Sequence, residues 1–238
     1  MRNELHYGVS HQNQPTFVPS MKTLAYSPWG GPTDCFPFNQ VFDQVVDGSK
    51  TMAADAFVLW GGTDIHPSYY GQPHSSYSQA PTLPSARDIW EWKAMKYCLS
   101  NNIPIIGVCR GAQFMCAFVG GKLFQHVTHH MGNHNMVTNT GEIIDTTSCH
   151  HQMLDLHGVP HELLAWSTGR SMCYYTDENS APDHVLEQGD TFKEPEVVHF
   201  PTIRGIGIQG HPEWAARKSR FVEFCNEQIV ALFEETTV

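Results

Sequence analysis

The stretch IPIIGVCRGAQFMCAFVGGKL, residues 103–123, joins an apolar run to a helix-like segment through a single cysteine. IPIIGVC is short and rich in isoleucine and valine, and reads as a buried strand. GAQFMCAFVGG reads as a helix that stops at Gly120 and Gly121. Gly107 and Gly111 flank Cys109, the spacing of a nucleophile elbow with cysteine as the nucleophile. In so tight a turn neighbouring backbone approaches closely, where only glycine avoids a collision. The sulfur is expected at the carboxyl end of the strand and the N-terminus of the helix, where dipole and free N–H groups favour thiolate. The Arg110 amide faces the same space and can donate to an oxyanion. The other reading of Cys109 is a buried thiol in a glycine-containing turn.

Working outward, MKTLAYS reads as a first strand, ended by the breakers PWGGPTD. FNQVFDQVVDG predicts a helix, with Phe38, Val41, Phe42, Val45 and Val46 at helical intervals and a stop at Gly48. ADAFVLWGG is a buried strand closed by Gly61 and Gly62, followed by a long polar loop over 63–86. RDIWEWKAMKYCLSNN predicts a helix that packs Trp90 and Tyr97 on one face and leaves Trp92 off it. HNMVTNTGEIIDTT reads as two short strands around a turn, and LLAWST and EVVHFP as weaker strands. IRGIGIQGHPEW is a strand running into a loop, and RFVEFCNEQIVALFEE an amphipathic closing helix. This alternation predicts a single three-layer α/β domain over 21–238, a central mainly parallel sheet flanked by helices. Residues 1–20, polar and proline-punctuated, read as an N-terminal extension.

The bulk properties exclude several classes. A formal charge of −10 over 238 residues argues against a broad electrostatic grip on nucleic acid. No uninterrupted apolar run reaches the ~18 residues of a membrane span, and the N-terminus lacks a signal-peptide core. Seven scattered cysteines, an odd number without a CxxC pair, suit free thiols in a reducing cytosol, so a cytoplasmic protein is expected.

A thiol nucleophile needs a base, and the base an orienting group. GIQGHPEW supplies His211 and Glu213 just past a strand. In an extended segment residues i and i+2 project to one side, and Pro212 is expected to keep the segment from turning helical. Strand ends on one edge of a parallel sheet are where such sheets place active sites. Gly61-Gly62, also past a strand, can bring a bare N–H to that edge as a second oxyanion donor.

GVCRGAQ, GGKLFQ, SCHHQ and GIQGHPE, in that order, resemble the class I glutamine amidotransferase superfamily. LWGGTDIHPSYYG resembles its branch of gamma-glutamyl-gamma-aminobutyrate hydrolase-like proteins, and the likeness runs over roughly residues 55–225. The resemblance implies hydrolysis of a small-molecule γ-glutamyl amide, glutamine or a γ-glutamyl-amine, through a glutamyl thioester and without a cofactor. It implies Cys109 as nucleophile, His211 as general base and then acid, and Glu213 as the group orienting His211. The amides of Gly62 and Arg110 would form the oxyanion hole. Gly61 and Gln113 would meet the glutamyl moiety, and His150, His151 and Gln152 would border its pocket. Three outcomes stay open: a stand-alone hydrolase, a glutaminase subunit feeding ammonia to a separate synthetase, and a catalytically silent binding module. A homo-oligomer is compatible with each.

His126, His129, His130 and His134 include pairs at i, i+4, a spacing that invites a metal. No carboxylate or cysteine accompanies them at ligand spacing, and the intervening glycine and asparagines suit a loop. These histidines are therefore expected to face solvent or line a pocket, with no metal site. Cys116, seven residues after Cys109, is expected to pack in the core.

Overall fold

The computed structural model describes residues 23–177, 183–186, 188–189 and 191–234, so the extension expected over 1–20 lies outside the described residues. The first half runs β1 (Thr23–Tyr26), β2 (Gln44–Asp47), β3 (Ala56–Leu59), α1 (Ala86–Ser100), β4 (Ile105–Val108) and α2 (Arg110–Phe118). Then come β5 (Lys122–Phe124), β6 (His126–Val127), β7 (His134–Thr138), β8 (Ile143–Thr146), β9 (Met153–Asp155) and β10 (Glu162–Ser167). The chain continues through β11 (Cys173–Tyr175), β12 (His184–Leu186), β13 (Pro195–Phe200) and β14 (Gly205–Ile208) to α3 (Arg220–Glu234).

Nine strands form the central sheet in the order β2-β1-β3-β4-β14-β13-β10-β7-β8. The pairings from β2 through β14 are parallel and the rest antiparallel, so only β13 and β7 run against the others. The expected mainly parallel sheet is there, with its parallel part under the candidate site. β6, β11 and β12 make a small second sheet, and β5 pairs with β9.

Strand alternation separates two apolar layers. Leu24, Val58, Ile106, Val108 and Ile208 face one cluster with Phe221, Cys225 and Ile229 of α3. Ala25, Phe57, Leu59 and Ile105 face the other with Met95 of α1 and Phe114 and Met115 of α2. Every residue of β3, β4 and β14 is buried, which is why these strands read as continuous apolar runs. Each such Val, Leu or Ile contributes roughly 1.5–3 kcal/mol by leaving water.

Two local expectations are corrected. The helix predicted over 38–48 is a short 3-10 turn, Phe38–Gln40, followed by strand β2. Phe38 stacks on Trp60 at 5.6 Å and Phe42 meets Phe233 at 5.9 Å, while Val45 and Val46 point to opposite sheet faces. The helical spacing arises from a turn and an edge strand placed in series, and β-branched valines favour the strand. In α1, Tyr97 is exposed, whereas Trp92 packs against Tyr69, Phe114 and Phe118. That helix buries Asp88, Glu91, Ala94, Met95 and Cys98, a face chosen by its acidic residues.

Candidate active site

Cys109 sits between β4 and α2 with φ 50° and ψ −107°, a strained conformation for a residue with a side chain. Its N–H donates to the Ile208 carbonyl at 2.7 Å, carrying the β4–β14 register one residue past the strand end. Both flanking glycines are required by contact. A Cβ on Gly107 would lie 2.5 Å from Met115 Sδ, and one on Gly111 would lie 2.4 Å from the Leu59 carbonyl oxygen.

The thiol is buried, and burial pushes it up to about 12. The Arg110 N–H bonded to the sulfur pulls the other way, while Glu213, Cys149 and Asp64 push upward. Burial thus opposes the thiolate that the helix terminus favours, with desolvation of a buried charge the larger influence.

His211 follows β14, held by its N–H to the Thr147 carbonyl at 2.7 Å and by the Thr147 hydroxyl on its own carbonyl. Its Nδ1 lies 2.7 Å from Glu213 Oε1, and both side chains are buried. Trp214 covers the ring, centroids 3.7 Å apart and planes within 5°. The expected extended backbone is corrected here: Pro212–Trp214 is a 3-10 turn with His211 at its N-cap. Pro212 takes the first position of the turn, which needs no N–H donor.

Gly61 brings the pair to the cysteine. A Cβ there would lie 2.8 Å from His211 Cε1 and 3.5 Å from Cys109 Cβ, so only a residue without a side chain leaves the space beside both of them clear. Arg87 donates to the carbonyls of Trp60 at 2.7 Å and Gly61 at 3.0 Å. In trans peptides this turns the N–H groups of Gly61 and Gly62 away from Arg87. Gly62 has φ +145° and lies against the same guanidinium, where a Cβ would be 2.4 Å from Nη1. Sequence reasoning missed Arg87, since nothing in its spacing marks a carbonyl clamp.

The Arg110 side chain turns away from the cysteine into a buried ion cluster with Asp88 and Glu91. Glu91 also accepts from Arg87 at 3.0 Å and from Ser27 at 2.5 Å. At Arg110 only the backbone amide faces the Cys109 sulfur.

The HHQ segment lies behind. The Gln113 side-chain amide donates to the Gln152 carbonyl at 2.9 Å, and His150 Nδ1 lies 2.9 Å from the same oxygen. Burial, reinforced by His130, holds the His150 imidazole well below its ordinary range. His151 pairs with Asp64 at 2.9 Å, and Asp64 also accepts from the Gln79 N–H at 2.7 Å, fastening the 63–86 loop to this segment. Cys116 is buried in the α1–α2 layer. A groove of about 860 Å³ lined by Lys122, Asp155, His157, His161, Tyr175 and Lys193 lies elsewhere, and Cys109, His211 and Glu213 take no part in it.

The expectation for the histidine cluster is corrected as well. His130 is buried, and β13 with its approach supplies the carboxylates that local spacing lacks. His130 Nε2 lies 2.9 Å from Glu194, and His134 Nε2 lies 2.7 Å from Glu196. These partners are more than sixty residues away in sequence, so no local spacing could disclose them.

Among the described residues no helix is long and apolar enough to cross a membrane. Residues 35–172 match the family model for Peptidase C26. Protein NtpR of Enterococcus hirae is 36% identical over 196 residues, covering 71% of this chain and 72% of NtpR. The "Putative glutamine amidotransferase" of Mycobacterium tuberculosis is 30% identical over 66% of this chain, a stretch that spans only 50% of that relative. The crystal structure of a glutamine amidotransferase from Thermotoga maritima shares the fold, with a TM-score of 0.52 at 13% identity over 91% of this chain and 97% of that one. The elbow and the family match converge on one conclusion: the chain belongs to the Peptidase C26 family, within the class I glutamine amidotransferase-like superfamily.

Proposed function

We propose that the protein hydrolyses a γ-glutamyl amide, glutamine or a γ-glutamyl-amine, with Cys109 as nucleophile, His211 as general base and acid, and Glu213 as its orienting group. The supporting observation is the 2.7 Å His211–Glu213 contact, with the His211 ring and Cys109 both beside Gly61, where one added Cβ would meet His211 Cε1 at 2.8 Å and Cys109 Cβ at 3.5 Å.

Glu213, accepting from Nδ1–H, leaves the lone pair on Nε2. Nε2 takes the Cys109 proton as the sulfur attacks the γ-carbonyl carbon. The oxyanion is held by the N–H groups of Gly62 and Arg110. On collapse the C–N bond breaks, Nε2–H protonates the leaving amine, and a glutamyl thioester remains. His211 then deprotonates a water that attacks this thioester, and the C–S bond breaks to release glutamate and restore the thiol. A thiol pushed up to about 12 fits this order, with proton transfer accompanying attack. Gly61, Gln113, His150, His151 and Gln152 complete the substrate side of the reading.

The test is product release from the purified protein offered glutamine and a panel of γ-glutamyl-amines, with Cys109→Ala as control. Turnover of an amine conjugate well above glutamine supports a stand-alone hydrolase. No turnover, with Cys109 still labelled by a glutamine-like electrophile, favours a glutaminase subunit that acts with a synthetase. Neither turnover nor labelling favours the silent binding module.

A further inference from the structure

Behind the HHQ segment, three polar side chains from separate parts of the chain meet in the interior. His130 precedes β7, His150 precedes β9, and Glu196 lies in β13. They are 2%, 3% and 1% exposed, and one ligating atom from each lies within 4.8 Å of the other two.

Each is held from behind at one polar atom and has its other atom buried without a hydrogen bond. His150 Nδ1 faces the Gln152 carbonyl at 2.9 Å. A carbonyl only accepts, so Nδ1 bears the hydrogen and Nε2, which has no partner, bears a lone pair. His130 Nε2 faces a Glu194 carboxylate oxygen at 2.9 Å, so its unpartnered Nδ1 bears the lone pair in the neutral ring. That Nδ1 stands 3.5 Å from Glu196 Oε1 without a hydrogen bond. Glu196 Oε1 accepts from His134 Nε2 at 2.7 Å, and Glu196 Oε2 has no partner. With the His130 ring neutral, two imidazole nitrogens and a carboxylate oxygen are buried together with no donor among them. A proton on His130 Nδ1 would satisfy one contact and leave His150 Nε2 unpaired.

We propose that His130, His150 and Glu196 bind one divalent cation of the zinc class. Two imidazoles and a carboxylate are a nitrogen–oxygen donor set that Zn²⁺ accepts in tetrahedral geometry. Ligating histidines characteristically give their second N–H to a carboxylate or a carbonyl, as His130 does to Glu194 and His150 to Gln152. Bonds of about 2.0–2.2 Å require the three side chains to draw together around the ion. The ion would fasten the segment leading into His150 to β13. Thr147, in that segment, carries the His211 backbone on its carbonyl and hydroxyl, so the metal acts as a positioning element for the imidazole. The site stands whether or not the hydrolase reading holds.

The test uses the full chain without a histidine tag, stripped by chelator and dialysed against near-stoichiometric zinc, with retained metal measured by elemental mass spectrometry. The expected result is close to one equivalent in the unaltered chain and a loss of tenfold or more in Glu196→Gln and His150→Gln, while Cys149→Ser retains it. Less than a tenth of an equivalent, or equal retention in folded Glu196→Gln, overturns the proposal. Should those variants fail to fold, cobalt decides on the unaltered chain. Weak visible bands without a thiolate-to-cobalt charge-transfer band support nitrogen and oxygen ligands. An intense charge-transfer band, or no cobalt spectrum, overturns the site.

Discussion

His211 Nδ1 and Glu213 Oε1 lie 2.7 Å apart across one 3-10 turn, with Trp214 of the same turn stacked on the imidazole. Glu213 and Trp214, two and three residues further on, therefore hold the His211 ring in position and orientation. Cys109, also beside Gly61, is one residue past the neighbouring parallel strand.

Cys109→Ala should abolish release of glutamate from a γ-glutamyl substrate, by at least ~10³-fold, with the thermal midpoint nearly unchanged. Residual turnover within tenfold of the unaltered protein would remove Cys109 from the chemistry.

His211→Ala should cost more than Glu213→Gln, by roughly ten- to a hundredfold in kcat, because Glu213 orients the ring while His211 moves the proton. Parallel kcat measurements decide it; equal or reversed losses count against these roles.

Alkylation of Cys109 in the substrate-free protein should be slow at pH 7 and rise about tenfold per pH unit up to pH 9. The sign follows from burial: a thiol pushed up to about 12 is protonated across that range, and its thiolate fraction grows with pH. Peptide mass spectrometry separates it from the exposed Cys149. A rate at Cys109 independent of pH would mean a thiolate already present.

Gly111→Ala should unfold or inactivate the protein, a loss of ~3 kcal/mol or more, because the new methyl would lie 2.4 Å from the Leu59 carbonyl oxygen. The gain of about 1 kcal/mol in helix propensity is too small to offset it. Gly141→Ala, at φ +88° with open space around it, should lose only about 1–2 kcal/mol. Urea denaturation of both variants compares them.

Arg110→Met should destabilise the chain by about 3–5 kcal/mol, since Asp88 and Glu91 would keep buried carboxylates without their main counter-charge. The same urea measurement applies, and a loss below 1 kcal/mol would show that Arg87 and Ser27 suffice.

The buried strands and the elbow were legible because their physics is local. Ile105–Val108 is apolar on both faces, and Gly107 and Gly111 mark close backbone approach by composition alone. Residues 38–48 misread because turn and edge strand together mimic helical spacing, and only pairing with β1 distinguishes them. The packed face of α1 misread because the helix buries Asp88 and Glu91 to meet Arg110, whose place depends on another element.

By itself the sequence determined the strand–cysteine–helix turn, the alternation that builds an α/β sheet, and the short list of His211, Glu213, Gly61 and Gly62. Those follow from backbone sterics and apolar periodicity within a few residues. Tertiary structure alone decided that Arg87 clamps the Trp60 and Gly61 carbonyls, that burial pushes the Cys109 thiol up, and that Glu194 and Glu196 meet His130 and His134. Desolvation and long-range ion pairing depend on what the fold packs around a group, and no spacing along the chain encodes that.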